Sequence, residues 1–325
     1  MTMQELLRQG ADILKQNHIE DPSREAGLLL SRASGMDLSL LYAHLDRTPD
    51  ARQIEAYFSA IERRANHEPY AYITGQCEFF SLTFEVNPHV LIPRADTELL
   101  AEAAIFALGA GGLHQSLNRN LNQNMFRLPD KKEYRVLDVG TGSGCLAVSV
   151  ARYAPSSVVD AVDLSGDALD TARRNARRHH VRDRINFIRA DFLKSDLPPL
   201  QPRLSDTPDS IAPEPFAPEP RQARRYDLII SNPPYIPSGD IPSLMADVRD
   251  YEPHTALDGG RDGLAFYRAF AEKARDMLDP DGVLAVECGF DQALAIRELF
   301  EGRGMRTLIL KDLSGFGRVV AARQV

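Results

Sequence analysis

Directly after the apolar run YDLIIS (226 to 231) stand Asn232, Pro233, Pro234 and Tyr235, four residues rich in hydrogen-bond acceptors. Two adjacent prolines stiffen the segment and remove two N–H donors, leaving backbone carbonyls to meet a donor from outside. Asn232 adds a side-chain carbonyl, and Tyr235 a flat ring on which a planar group can lie. Such a set suits an NH2 group. A ligand-free proline-rich turn would use the same residue types, so the segment needs a second signal.

That signal lies upstream, where Asp138-Val139-Gly140-Thr141-Gly142-Ser143-Gly144 follows one apolar run and precedes the helical CLAVSVARYA. Glycines at a strand-to-helix turn let a ligand approach the backbone at a helix N-terminus. Gly142 to Ala147 also satisfies the dinucleotide pattern GxGxxG/A, so the glycines alone do not separate a nicotinamide from S-adenosylmethionine. Asp163, near the end of the next apolar run, can accept both ribose hydroxyls of an adenosine ligand; the competing role is a cap for the helix that follows. Asp191-Phe192 ends a third run, where an acid can meet an adenine amino group and a ring can pack on the base, or Phe192 can be ordinary core.

These motifs need a scaffold, and the chain supplies one. YRVLDV (134 to 139), SVVDAVDL (157 to 164), INFIRA (185 to 190), YDLIIS (226 to 231) and GVLAVE (282 to 287) alternate with helical stretches, which predicts βαβ units and a mostly parallel α/β sheet. TLILKD and RVVAAR, joined by LSGFG, predict a terminal antiparallel hairpin. Residues 1 to 75 instead space apolar residues by threes and fours (Leu6, Leu7, Ile13, Leu14; Leu38, Leu41, Leu45; Ile54, Phe58, Ile61), a pattern for a small helical bundle. Asp21-Pro22-Ser23 offers a capped helix start and Gly35 a stop. FFSLTFEV followed by HVLIPR predicts a two-stranded connector over 76 to 97. The sheet domain then runs from 98 to 325, with insertions near 109 to 130 and 196 to 224, the second dense in proline.

Composition narrows the classes. Apolar residues at 43% and charged residues at 26% fit a folded globular chain, and a net charge of −8 has the wrong sign for holding duplex nucleic acid by its phosphates. Cys77, Cys145 and Cys288 are odd in number and widely spaced, which points to a reducing, cytoplasmic setting without disulfides. No metal is expected, because none of the eight histidines forms HExxH or HxxxH, and His179-His180 are read as solvated helix residues. Early charges break any signal-peptide core, and no apolar run is long enough for a membrane span.

The whole constellation resembles the peptide chain release factor glutamine N5-methyltransferases, the HemK family. The likeness runs through the helical N-terminus, AYITG (71 to 75), VLIPRADTEL (90 to 99), LDVGTGSG (137 to 144), Asp163, SNPPY (231 to 235), EPHTALDGGRDGL (252 to 264), VECG (286 to 289) and DLSGFGR (312 to 318). The chain departs from the pattern at Ala95, where proline is usual, at Phe192, where tryptophan is common, and in its two insertions.

The resemblance implies a Rossmann-like class I methyltransferase sheet and S-adenosyl-L-methionine as cofactor. Gly140, Thr141, Gly142, Ser143 and Gly144 would wrap its methionine part, Asp163 its ribose, and Asp191 and Phe192 its adenine, with Asn232 between cofactor and substrate. Asn232, Pro233, Pro234 and Tyr235 would hold the substrate, the glutamine of a Gly-Gly-Gln loop in a release factor, with Asn232, Pro233 and Tyr235 as the catalytic set. The N-terminal helices would help recognise that partner, and a monomer is expected. Arg94, Asp96, Thr97 and Glu98 are read as an ion-pair joint and stay outside the catalytic set. Two rivals share the NPPY chemistry: a ribosomal-protein glutamine methyltransferase and an adenine N6-methyltransferase.

Overall fold

Apolar residues at three-and-four spacing fold the first 75 positions into helices Met3–Gln16, Pro22–Ser34, Leu38–Ala43, Ala51–Ala65 and Tyr70–Thr74. In this computed structural model the described residues are 1–110, 126–194 and 225–325. The insertion read at 196 to 224 lies outside them, as does most of that near 109 to 130. Leu6, Leu14, Leu29, Leu30, Leu41, Tyr57 and Ile61 form the buried heart of the helical unit, with Leu7, Ile13, Leu38, Leu45, Ile54 and Phe58 around it. Gly10 has to be small, because a Cβ there would sit 1.9 Å from the Tyr57 hydroxyl, which donates to the Leu6 carbonyl. Asp21 starts its helix through its backbone: its side chain caps nothing, its φ is 51°, and Pro22 occupies the first turn. Gly35 ends that helix with φ 70° in the left-handed region, which glycine adopts at least cost.

The connector differs from the expectation. Both strands of the hairpin come from within QCEFFSLTFE: β1 (Gln76–Phe79) pairs antiparallel with β2 (Leu82–Glu85), and HVLIPR forms no strand. Phe80 and Ser81 both have positive φ, 50° and 59°, as a two-residue turn matched to strand twist requires. Phe79 and Phe84 are buried in the same core as Leu100, Val148 and Val150, so the hairpin is packed onto the sheet domain.

The sheet has seven strands in the order β5-β4-β3-β6-β7-β9-β8, with β3 Tyr134–Val139, β4 Ser157–Asp163, β5 Ile185–Arg189, β6 Tyr226–Ser231, β7 Leu278–Glu287, β8 Met305–Lys311 and β9 Gly317–Gln324. The first five run parallel, and β9 pairs antiparallel with both β7 and β8. Alternate residues serve two cores. Val136, Leu228, Ile230, Val283 and Ala285 face helices Glu98–Ala107 and Cys145–Tyr153, whereas Leu137, Ile229, Leu284 and Val286 face Ala265–Met277 and Ala293–Glu301. Burial on both faces explains why these strands read as unbroken apolar runs. Strand order reverses between β3 and β6, and in such sheets the crevice for a ligand opens beyond the carboxyl ends at that reversal.

Candidate active site

Two loops leave the sheet side by side at the reversal, and a hydrogen bond joins their roots: the Ser231 hydroxyl at the end of β6 donates to the Val139 carbonyl at the end of β3, 2.6 Å away. The β3 loop is the glycine turn. Gly140, Gly142 and Gly144 have φ of 73°, 54° and 81°, and a Cβ at Gly144 would lie 2.9 Å from that of Ala172. The turn is tied to β4 from both sides, since Gly140 and Thr141 N–H donate to the Val162 carbonyl and Gly142 N–H donates to Asp163 Oδ2 at 2.9 Å. Beneath it Asp138 is fully buried. One of its oxygens accepts from the Thr141 hydroxyl (2.7 Å) and the Ala147 N–H (3.1 Å), the other has no partner among the described residues, and burial pushes the carboxyl up to about 7.

Asp163 does not cap the next helix. Ser165 does, its side chain accepting from Ala168 N–H, while Asp163 Oδ1 takes the Ser165 N–H at 2.9 Å. A carboxylate offers about four acceptor sites, so these backbone donors leave acceptor capacity on Asp163 unfilled. Asp191 accepts from Leu193 N–H and pairs with Lys194 at 3.2 Å. Phe192 is 5% exposed, its ring centre 4.6 Å from that of Phe270 at a tilt of 38°, with the Lys273 ammonium 5.0 Å from its ring centre. It therefore lies in the core beneath this side of the crevice, leaving little ring face outward.

The β6 loop is the acceptor segment. Pro233 and Pro234 are buried, whereas Asn232 and Tyr235 are partly exposed. Asn232 Nδ2 donates to Thr97 Oγ1 at 3.1 Å, which leaves Oδ1, on the other branch of the amide, without a protein donor among the described residues. The glycines of EPHTALDGGRDGL press on this backbone: a Cβ at Gly259 would lie 2.8 Å from the Pro234 carbonyl, and one at Gly263 only 2.3 Å from that of Tyr235. Gln292 braces it too, donating to the Tyr235 carbonyl at 2.9 Å while accepting from Gly289 N–H at 3.0 Å. Burial, reinforced by Glu287, pushes the Tyr235 phenol up to about 12, so it stays neutral.

Three of the four residues read as a joint act as one. Arg94 pairs with buried Glu252, Asp96 pairs with Arg318 at 3.1 Å, and Glu98 accepts from Phe80 N–H at 2.7 Å. Thr97 is the exception: its hydroxyl accepts from Asn232 and lies close to the Glu287 carboxyl. Glu287, at the end of β7, is 2% exposed; burial pushes its carboxyl up to about 7, and its Oε2 has no partner among the described residues. Asp138, Thr97, Glu287 and Gln292 are thus site residues that motif reading missed. His179 also departs from expectation, since its ring packs 5.2 Å from Phe84 with Nε2 2.9 Å from the Thr83 carbonyl. Among the described residues no metal-binding cluster occurs and no helix is long and apolar enough to cross a membrane.

A doubly wound sheet ending in an antiparallel pair, with a glycine turn after its first strand and an acid after its second, is the class I methyltransferase fold, and residues 136–204 match a methyltransferase domain model. Residues 5–75 match the family model described as the PrmC N-terminal domain. The chain is 35% identical over 323 residues to the release factor glutamine methyltransferase of Geobacter sulfurreducens, covering 99% of this chain and 96% of that one. It is 35% identical over 324 residues to that of Moorella thermoacetica, covering 99% and 98%. With a bifunctional methyltransferase of Rickettsia felis it shares 33% identity over 327 residues, covering 98% of this chain but 57% of that protein, so it spans little more than half the length of such relatives. The chain belongs to the release factor glutamine methyltransferase family.

Proposed function

We propose that the chain transfers a methyl group from S-adenosyl-L-methionine to the side-chain amide nitrogen, N5, of the glutamine in the Gly-Gly-Gln motif of peptide chain release factors. The observation that carries this reading is the orientation of Asn232. With its NH2 held by Thr97, its carbonyl oxygen is available to an incoming N–H, one residue before the Pro233 carbonyl.

The residues present fit the cofactor. Gly140 has open space where a Cβ would stand, Asp163 keeps acceptor capacity, and an unpartnered buried carboxyl oxygen of Asp138 lies under the turn, suited to a cationic ligand. Gly140, Thr141, Gly142, Ser143 and Gly144 would hold its methionine part, Asp163 its ribose, and Asp191 its adenine amino group, with Phe192 supporting the base from below. When bound, S-adenosylmethionine supplies an electrophilic methyl group on a sulfonium.

An amide nitrogen is a weak nucleophile because its lone pair is delocalised into the carbonyl. The protein's task is to compensate by placement. Accepting one N–H on Asn232 Oδ1 and the other on the Pro233 carbonyl would fix the nitrogen, and both contacts strengthen as positive charge develops there. Tyr235, neutral and braced by Gln292, would flank the planar amide. No strong base is required, because the methylated nitrogen is acidic enough to lose its proton to water or a nearby carbonyl. The N-terminal helices are assigned to recognition of the release factor, which the chain meets as a monomer.

The test is incubation of the protein and radiolabelled cofactor with purified release factor, ribosomal proteins and DNA in separate reactions, followed by mass spectrometry of the labelled product. Label on the release-factor glutamine is the expected result. Label only on a ribosomal protein or on adenine would refute the assignment.

A further inference from the structure

We propose that Thr97 and Glu287 form a positioning relay that sets which way the Asn232 amide faces, and so makes the site a receptor for an NH2 group. The inference rests on the function proposed above and adds to it two residues outside the NPPY segment.

An asparagine amide turned over by 180° exchanges an acceptor for two donors. In that state it would repel the substrate NH2 that it has to hold, so something must select one orientation. Thr97 alone is insufficient, because a hydroxyl donates as readily as it accepts. At 1% exposed it also lies out of reach of bulk water, which leaves its single proton to whichever protein acceptor it meets. Glu287 is the acceptor within reach: it is 2% exposed, its carboxyl lies close to the Thr97 hydroxyl, and its Oε2 has no partner among the described residues. A carboxyl oxygen in this position accepts whether or not Oε2 carries a proton. The Thr97 proton is therefore spent on Glu287, and only its lone pairs remain for Asn232. Nδ2 donates to that oxygen at 3.1 Å, which commits Oδ1 to the substrate.

The sheet register places the relay. Ser231 pairs with Val286 across β6 and β7, so the residues that follow, Asn232 just past β6 and Glu287 at the end of β7, lie side by side, with the Thr97 turn beside them. Glu287 is itself held from behind, where the Tyr267 hydroxyl donates to its backbone carbonyl at 2.8 Å.

Thr97→Val removes the hydroxyl at nearly constant volume, and Thr97→Ser keeps it. The valine variant should lose turnover on release factor by about tenfold or more with little change in KM or in affinity for S-adenosylhomocysteine, and the serine variant should stay within about threefold of the parent. In an Asn232→Ala background Thr97→Val should cost no more than about twofold, because its effect passes through the missing amide. An equal loss in both backgrounds, or full turnover by the valine variant, would overturn the relay. A second readout needs no substrate: the Asn232 side-chain 15NH2 signal, assigned by its disappearance in Asn232→Ala, should show one proton protected from solvent exchange in the parent and in Thr97→Ser. Thr97→Val should abolish that protection, and unchanged protection would also overturn the proposal. Should the parent fail to methylate release factor, the functional reading falls, while the amide signal still decides the relay.

Discussion

Gly263 stands 28 positions past the acceptor segment's Tyr235 and touches no reacting group, yet Gly263→Ala should disable turnover. Its φ of 72° lies in the left-handed region, where a non-glycine residue costs about 1 to 2 kcal/mol. The added Cβ would lie 2.3 Å from the Tyr235 carbonyl oxygen and 2.5 Å from Gln292 Nε2, where ordinary contact begins at 3.4 Å. Relief requires the Tyr235 backbone to move by about 1 Å and Gln292 to give way as well, and a misplacement of that size far from the chemistry can cost about 10²-fold. The assay is steady-state methylation of release factor together with thermal unfolding. Turnover should fall about 10²-fold, the melting temperature by about 2 to 8 °C, and S-adenosylhomocysteine affinity hardly at all. Gly239→Ala is the internal control, since no atom of the described residues lies within 4 Å of its Cβ and its φ is not left-handed. A Gly263→Ala variant as fast and as stable as Gly239→Ala would refute the claim that this loop sets the NPPY backbone.

Asp163→Ala should weaken cofactor binding by about 1.5 to 3 kcal/mol, the range for hydrogen bonds to a charged group, and calorimetric affinity equal to the parent's would remove Asp163 from the ribose site. Asn232→Ala should lower turnover by on the order of 10² to 10³ while leaving cofactor affinity nearly unchanged, with Asn232→Asp retaining part of the activity; a fully active alanine variant would sink the mechanism. Asp138 supplies a pH test, because burial holds its carboxyl at about 7 against an ordinary 3.8. Below about pH 4 the group is protonated in both folded and unfolded chains; as pH rises toward 7 only the unfolded chain ionises, so folded stability falls, with a loss of a few kcal/mol complete above 7. Asp138→Asn should therefore gain on the parent between about pH 4 and 7 in denaturant titrations, and a difference independent of pH would contradict the shifted carboxyl.

The strands were readable where burial acts on both faces. YRVLDV and YDLIIS coincide with β3 and β6 because neither face has to carry polar residues, so the pattern stops where the strand stops. FFSLTFEV misled for the same reason in reverse. An apolar run with no Gly, Asn or Asp looks like one strand, yet Phe80 and Ser81 turn within it. Tertiary contacts hold that turn: Glu98 accepts from Phe80 N–H, the Tyr153 hydroxyl donates to the Phe80 carbonyl, and the Phe80 and Tyr153 rings meet edge to face at 5.3 Å. None of these partners is local in sequence, so no turn propensity announces them.

The site divides along the same line. The glycine turn, Asp163 and the NPPY segment are visible in sequence because each is a contiguous string whose chemistry follows from residue type. Thr97 is one hydroxyl in a polar stretch, 135 positions from the amide that it holds, and its neighbours Arg94, Asp96 and Glu98 are engaged in the joint that their charges suggest. Glu287 did carry a signal, an acid closing the apolar strand GVLAVE with no basic residue beside it. Turning that signal into a role required the β6–β7 register, since only the pairing of Ser231 with Val286 shows that the acid and the asparagine emerge together. A buried carboxyl with one bare oxygen is costly to keep. That cost becomes intelligible when the carboxyl decides, through one threonine, whether the neighbouring amide accepts a hydrogen bond or donates one.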